Sequence, residues 1–138
     1  MAAVKNIFDI VGRSMGAQMV RMNTIASNLA NLESKAGSAE DAFRPVRPVF
    51  ETVFSDNYQK DGISTVDALR VVPLERQPER IYEPGHPIAD EEGYVYKSAV
   101  NSDEEMVEML EASRQYQNNL EVLSTVRALM MRTISMGK

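Results

Sequence analysis

His86 is the only histidine of the chain and stands in the turn Glu83-Pro84-Gly85-His86-Pro87. One imidazole supplies one metal ligand or one general base, whereas a zinc site takes three or four protein ligands. No cysteine is present to complete such a set, so His86 reads as part of a structural turn with Pro84, Gly85 and Pro87. The run Asp90-Glu91-Glu92 offers hard oxygen donors for a cation, but three acids ahead of Gly93 also describe a solvated turn. Asn57 to Gly62 (NYQKDG) has the outline of a calcium loop. It lacks an acidic first residue, and Ala68 stands where the closing glutamate belongs, so it is rejected. There is no Gly-rich phosphate loop and no nucleophile elbow, and one histidine completes no convincing Ser/His/Asp set. Gly12 and Gly16 form a G-x-x-x-G, which in a soluble helix marks close helix approach. These residues point away from an enzyme and give no catalytic, cofactor-binding or metal site.

Composition narrows the classes further. With 138 residues, 43% hydrophobic and 25% charged, the chain suits a single folded domain. Twenty acidic against 15 basic side chains leave a net charge of −5. A nucleic-acid binder needs a basic face to displace counterions; Lys5, Arg13 and Arg21 stand singly along the first segment and make no such face. No stretch approaches the roughly 20 apolar residues that span a bilayer, so direct membrane insertion is not expected. Asp9 interrupts the stretch Asn6–Gly12, which denies it the roughly seven unbroken apolar residues of a secretory leader.

The elements that would position a site fall into three parts. From about Val4 to Leu32 there is no proline, and apolar residues recur at Phe8, Met15, Met22 and Leu29, and at Val4, Val11, Ile25 and Leu32, with Gln18 a polar member. These are heptad positions of one long helix, about 43 Å at about 1.5 Å per residue. Asn28 and Asn31 mark its fraying end and count among its packing residues. A second helix is expected from about Asp103 to Met136, opened by a Ser102/Glu105 capping box and stopped at Gly137. Met106, Leu120 and Ile134 form one heptad series there, and Met109, Tyr116, Leu123 and Met130 the other. All six prolines lie between residues 45 and 87, which excludes a long helix in the middle. Arg47–Phe54, Val71–Leu74 and Gly93–Val95 read as strands or extended segments.

The expected fold class is therefore mainly α: long N- and C-terminal helices pairing as an antiparallel coiled-coil-like bundle, with a small extended or β insert. Residues 1–33 and 102–138 would form a discontinuous helical assembly domain, and residues 34–101 the insert. Aligning the stripes places residues opposite one another when their numbers sum to about 141, which sets Asp9 near Arg132 and Arg21 near Glu121. Eight methionines besides Met1 lie on the two helices, and methionine packs adaptable surfaces. Exposed stripes of that extent call for partners.

Arg21 to Asn31 (RMNTIASNLAN) resembles the N-terminal helix motif shared by bacterial flagellar rod, hook and hook-junction proteins. Glu105-Met106-Val107 and Glu111 to Asn119 (EASRQYQNN) resemble their matching C-terminal helix. Arg44 to Phe50 (RPVRPVF), Tyr82 to Asp90 and Gly93-Tyr94-Val95 narrow the resemblance to the FlgC (proximal rod) family, over nearly the whole chain. Lys97 to Asn101 departs from the Pro-Asn-Val type of run found there. The resemblance implies a structural subunit of the basal-body rod, packed as a helical tube that transmits torque and encloses the export channel for flagellar motility. It implies copies of itself, other rod subunits and the rod-to-membrane-ring anchoring protein as neighbours. It also implies a periplasmic location, reached through the flagellar type III export apparatus without a cleaved signal peptide. Two other readings stay open on the residues alone: another rod or hook subunit, and a soluble adaptor that dimerises through a coiled coil.

Overall fold

The structure is a computed structural model that describes residues 2–54 and 64–137. The rejected calcium-loop segment Asn57–Gly62 and Lys138 lie outside the described residues, as do the side chains of Val4 and Ala68. Helix α1 spans Ala2–Ala30, and five strands follow: β1 Lys35–Ala36, β2 Val46–Phe54, β3 Ser64–Pro73, β4 Glu79–Tyr82 and β5 Tyr94–Lys97. Helix α2, Ser102–Met136, closes the order. Neither helix has a segment long and apolar enough to cross a membrane.

The expected mainly α, coiled-coil-like bundle is corrected by these strands. The chain is a mixture of helix and strand, with a three-stranded antiparallel sheet in the order β1-β5-β4 and a two-stranded antiparallel sheet of β2 and β3. The β2–β3 pair runs from Val46 opposite Pro73 to Phe54 opposite Ser64, with one bulge after Val49. Strands of nine and ten residues exceed the usual five or six and present a surface that needs cover. That cover is α1, which contacts β2 and β3 as well as α2. A helix serving only a two-helix seam buries a narrow stripe. On α1 the buried residues, among the side chains described, are Val11, Ala17, Thr24, Ile25 and Asn28, a wider arc. On α2 they are Glu105 and Ala112 alone. So α1 is the central element, and α2 lies on it from one side.

Beyond the end of α1 the chain forms a second, smaller core. Pro45, Val95, Ala42 and Val100 are buried there. Backbone bonds from Ser98 N to Ser34 O (2.9 Å) and from Ala99 N to Phe43 O (2.9 Å) tie the exit of β5 to the segment after α1. The three-stranded sheet thereby fixes where α2 begins relative to where α1 ends.

Candidate assembly surface

The two helices run antiparallel and meet through polar side chains. Gln18 donates to Gln115 (3.2 Å), Asn119 donates to Ser14 (2.9 Å), and Asn28 donates to Glu105 (3.1 Å). In each pair the residue numbers sum to 133, not about 141, so α2 is slid by eight residues, about 12 Å, from the expected alignment. Arg21 accordingly reaches Glu108 at 2.6 Å and Glu111 at 3.3 Å, not Glu121. Asp9 pairs along its own helix with Arg13 at 3.3 Å, not with Arg132. Apolar stripes repeat every heptad and tolerate slippage, whereas buried hydrogen-bonding side chains fit one alignment and specify it. The Arg21 guanidinium loses solvent, which opposes its charge. Its bonds and charge contacts with Glu108 and Glu111 outweigh that loss and raise its pKa.

The expected packing residues divide clearly. On α1, Val11 and Ile25 are buried, and Phe8, Met15, Met22 and Leu29 are half-buried. Asn28 is fully buried instead of fraying, and Asn31 is half-buried, its amide donating to Ser27 O at 2.9 Å as the helix ends. On α2, Met109, Tyr116, Leu123 and Met130 are half-buried. Their companions on the covered face are Glu105, Ala112, Asn119 and Val126. The other expected series, Met106, Leu120 and Ile134, sits one residue further on and is exposed, Met106 by 60%. One residue is a rotation of about 100° on a helix, enough to carry a side chain from seam to solvent. Val107 and Leu110 join Met106 on this exposed outer face.

Glu105 was expected to cap α2 with Ser102. Instead Asn101 is the N-cap, its side-chain oxygen accepting from Asp103 N (3.0 Å) and Glu104 N (3.2 Å). The Glu105 carboxylate turns inward, fully buried, and takes both arms of Arg47, at 2.5 and 3.0 Å, besides the Asn28 amide. A buried carboxylate needs such saturation, since desolvating a charge is costly unless it is paired and hydrogen-bonded. Asn28 also holds β2 as a strand would, donating to Val46 O (3.0 Å) and accepting from Val46 N (2.8 Å). Next to this junction Arg76 grips Glu104 with bonds of 2.7 and 2.8 Å. Those bonds hold the Glu104 carboxyl below its ordinary value of 4.5, against a smaller upward push from desolvation. Sequence reasoning missed Arg47, Arg76, Glu104 and Asn101. For Arg47 a signal existed, the lone cation of β2, set among Val46, Pro48, Val49 and Phe50.

The turn after β4 is built from its own residues. His86 N donates to Glu83 O (3.0 Å), and His86 Nδ1 accepts from Ile88 N (3.3 Å). Pro84, Gly85 and Pro87 are exposed and His86 is half-buried. Asp90 Oδ1 accepts from Glu92 N (3.0 Å) and Tyr94 N (2.8 Å), while Arg80 pairs with Glu92 and lies 3.7 Å over the Tyr94 ring. Gly93 adopts φ +84°, and a Cβ there would come within 3.0 Å of both Pro84 Cβ and Tyr82 Cε2. Among the described residues no group of three or more acidic or histidine side chains is placed to hold a metal ion.

The sequence profile described as flagellar basal body rod FlgEFG protein C-terminal matches residues 91–136, which comprise β5, its flanks and α2. The chain is 39% identical over 136 residues to the flagellar basal-body rod protein FlgC of Escherichia coli O6:H1, covering 99% of each. Identity to FlgC of Salmonella typhimurium is 39% over 137 residues, again with 99% of each chain covered. FlgC of Aquifex aeolicus is 38% identical over 138 residues, the full length of both. The similarity therefore runs through the helices, the sheets and the turn alike, and the chain belongs to the FlgC family of flagellar basal-body rod proteins, a structural rod subunit of the flagellar basal body and not an enzyme.

Proposed function

We propose that this rod subunit occupies the proximal rod, where its copies pack with other rod subunits into a helical tube that transmits torque and surrounds the export channel. Its further neighbours are the protein anchoring the rod to the membrane ring and, during delivery to the periplasm, the flagellar type III export apparatus. The observation that carries this reading is the outer face of α2, where Met106, Val107 and Leu110 are all at least 60% exposed within two turns of helix. An apolar face of that kind on a soluble chain marks a contact surface. Contacts between unlike surfaces that do not close a ring propagate as helical filaments. Residues 1–33 with 102–138 serve in this reading as the shared assembly unit, with seam residues such as Leu29 and Leu123 setting its shape. Residues 34–101, with the turn Pro84–Pro87, supply the contacts particular to this rod position.

The test is Leu110→Asp, expressed in cells whose own copy is deleted. The substituted side chain stays in water, so circular dichroism of the purified protein is expected to be unchanged. The subunit should be made but missing from isolated basal bodies, and the cells non-motile. Normal swimming with a full complement of the variant in the rod would defeat the proposal.

A further inference from the structure

The two antiparallel sheets end in outer edges at β1, β4, β2 and β3, and the chain closes the edges at β2 and β1 itself. At β2, Val46 turns its N–H and C=O away from β3, and the Asn28 side chain takes both, at 2.8 and 3.0 Å. Pro48, the next residue to face that way, has no N–H, and a bulge follows Val49. Proline and bulges both blunt a sheet edge. Strand β1 is only two residues long, and the Ile88 carbonyl oxygen lies against Gly37 directly after it.

The outer edges of β3 and β4 stay open. Leu74 N donates to Pro45 O (2.8 Å), so alternation along the antiparallel ladder turns the main chain of Val72 toward β2 and that of Val71 away from it. Glu83 N likewise donates to Gly93 O (2.9 Å). Glu79 and Ile81 therefore bond β5, while Arg80 and Tyr82 point their N–H and C=O outward. Among the described residues none bonds the outward main chain of Val71, Arg80 or Tyr82. Val71 is 47% exposed and Tyr82 62%. The Tyr82 ring stands edge-on to Tyr94, 5.1 Å between centroids, and against Gly93, so its direction is set before any partner arrives.

We propose that the two open edges meet between copies, β3 of one copy adding antiparallel to β4 of a second and merging their sheets. In strand addition the main chain supplies the binding and the side chains set the alignment. With Val71 opposite Tyr82, Val72 falls opposite Ile81 and Arg70 opposite Glu83, whose carboxylate Lys35 already shares. Apolar cross-strand pairs and opposite charges both stabilise such a ladder. Sliding two residues either way sets Val72 against Glu79 or Glu83 and loses the apolar pair. Pairing β4 with a second β4 about Ile81 sets Glu79 against Glu83, and like charges directly opposite destabilise. Joining unlike edges leaves one of each free on the growing chain of copies, so the contact propagates, whereas like edges close a dimer. The inference rests on the proposed reading only in taking copies of this chain as neighbours.

The chain has no cysteine of its own, so disulfide cross-linking can test the contact directly. The full-length chain carrying Val71→Cys together with Tyr82→Cys is oxidised; a bonded cross-strand pair lies about 5.5 Å apart at Cα, within the span of a disulfide. The expected product is a ladder of dimers, trimers and longer multimers. Tyr82→Cys with Val122→Cys, on the exposed side of α2, should give no ladder. Adding Arg80→Pro to the first pair removes an outward N–H and leaves the bonds to β5 in place. It should cut the ladder about ten-fold, whereas Arg80→Ala, which removes the same side chain and keeps the N–H, should not. Circular dichroism checks that both variants fold. Amide exchange at Arg80 gives a reading that needs neither variant, and it should be slower in the ladder than in the reduced monomer. A chain that stays monomeric or stops at a dimer overturns the proposal, as does a ladder that a folded Arg80→Pro variant leaves intact, or equal exchange in ladder and monomer. Rod membership is read separately, from the presence of the reduced double-cysteine subunit in isolated basal bodies.

Discussion

Glu105 Oε2 lies 3.1 Å from Asn28 Nδ2, with both residues wholly buried 77 positions apart in the chain. This contact joins the first turn of α2 to the last turns of α1. Because Glu105 also holds Arg47 and Asn28 also holds Val46, a single pair of side chains locks both helices and the long hairpin together.

Glu105→Gln keeps the shape but takes from Arg47, whose side chain is 18% exposed, its buried charge partner and leaves it only the longer contact with Glu104 at 3.4 Å. Removing one member of a buried pair is expected to cost about 3 kcal/mol. Glu111→Gln, at the exposed second partner of Arg21, is expected to cost under about 1 kcal/mol. Urea unfolding of the two variants should separate them; equal midpoints would mean that the junction does not hold the fold.

Leu29→Asp and Leu123→Asp place a carboxylate in the half-buried seam. Each is expected to destabilise the chain by about 3 kcal/mol and to leave cells non-motile without a rod, although the polypeptide is still made. Thermal unfolding would report the first effect and swimming in soft agar the second. Unaltered swimming with either change would remove these residues from the seam's function.

Gly93→Ala forces a side chain into a positive-φ position already crowded by Pro84 and Tyr82. The expected loss is about 2 kcal/mol. Gly85→Ala, eight residues earlier in the same turn, meets nothing within 4 Å and should stay within about 0.5 kcal/mol of the parent. Chemical denaturation of both variants checks the contrast.

Glu104 gives the pH dependence its sign. Its bonds from Arg76 depress the carboxyl pKa below 4.5 in the folded chain. An unfolded carboxyl binds protons first as pH falls, so the stabilisation is intact above 4.5 and is lost as pH drops through the lowered folded value. The urea midpoint should therefore hold down to pH 4.5 and decline below it, and Glu104→Gln should flatten part of that decline. The effect is modest, because Glu104 is 39% exposed and solvent screens the pair. A midpoint that rises on acidification would contradict it.

The sequence by itself placed both helices to within two residues at most ends, because prolines, periodicity and the glycine stop act within a few residues of where they stand. The expected segments Val4–Leu32 and Asp103–Met136 match Ala2–Ala30 and Ser102–Met136 closely. Arg47–Phe54 announced β2 for the same reason, while β4 at Glu79–Tyr82 passed unnoticed because its residues are mostly polar and its partner β5 lies beyond the turn. The residues that resemble the rod family were also legible, since they are runs of adjacent letters.

Alignment and facing were decided only in three dimensions. An apolar heptad on α2 has two adjacent phases, and the buried one contains Glu105, Ala112 and Asn119, which apolar counting passes over in favour of Met106 and Leu120. Glu105 three residues after Ser102 looks like a local cap, yet Arg47, 58 positions away, draws it inward. Local propensity acts over one helical turn, but a charge removed from water goes wherever the fold supplies its counter-charge and hydrogen bonds. That requirement set the slide of α2 along α1.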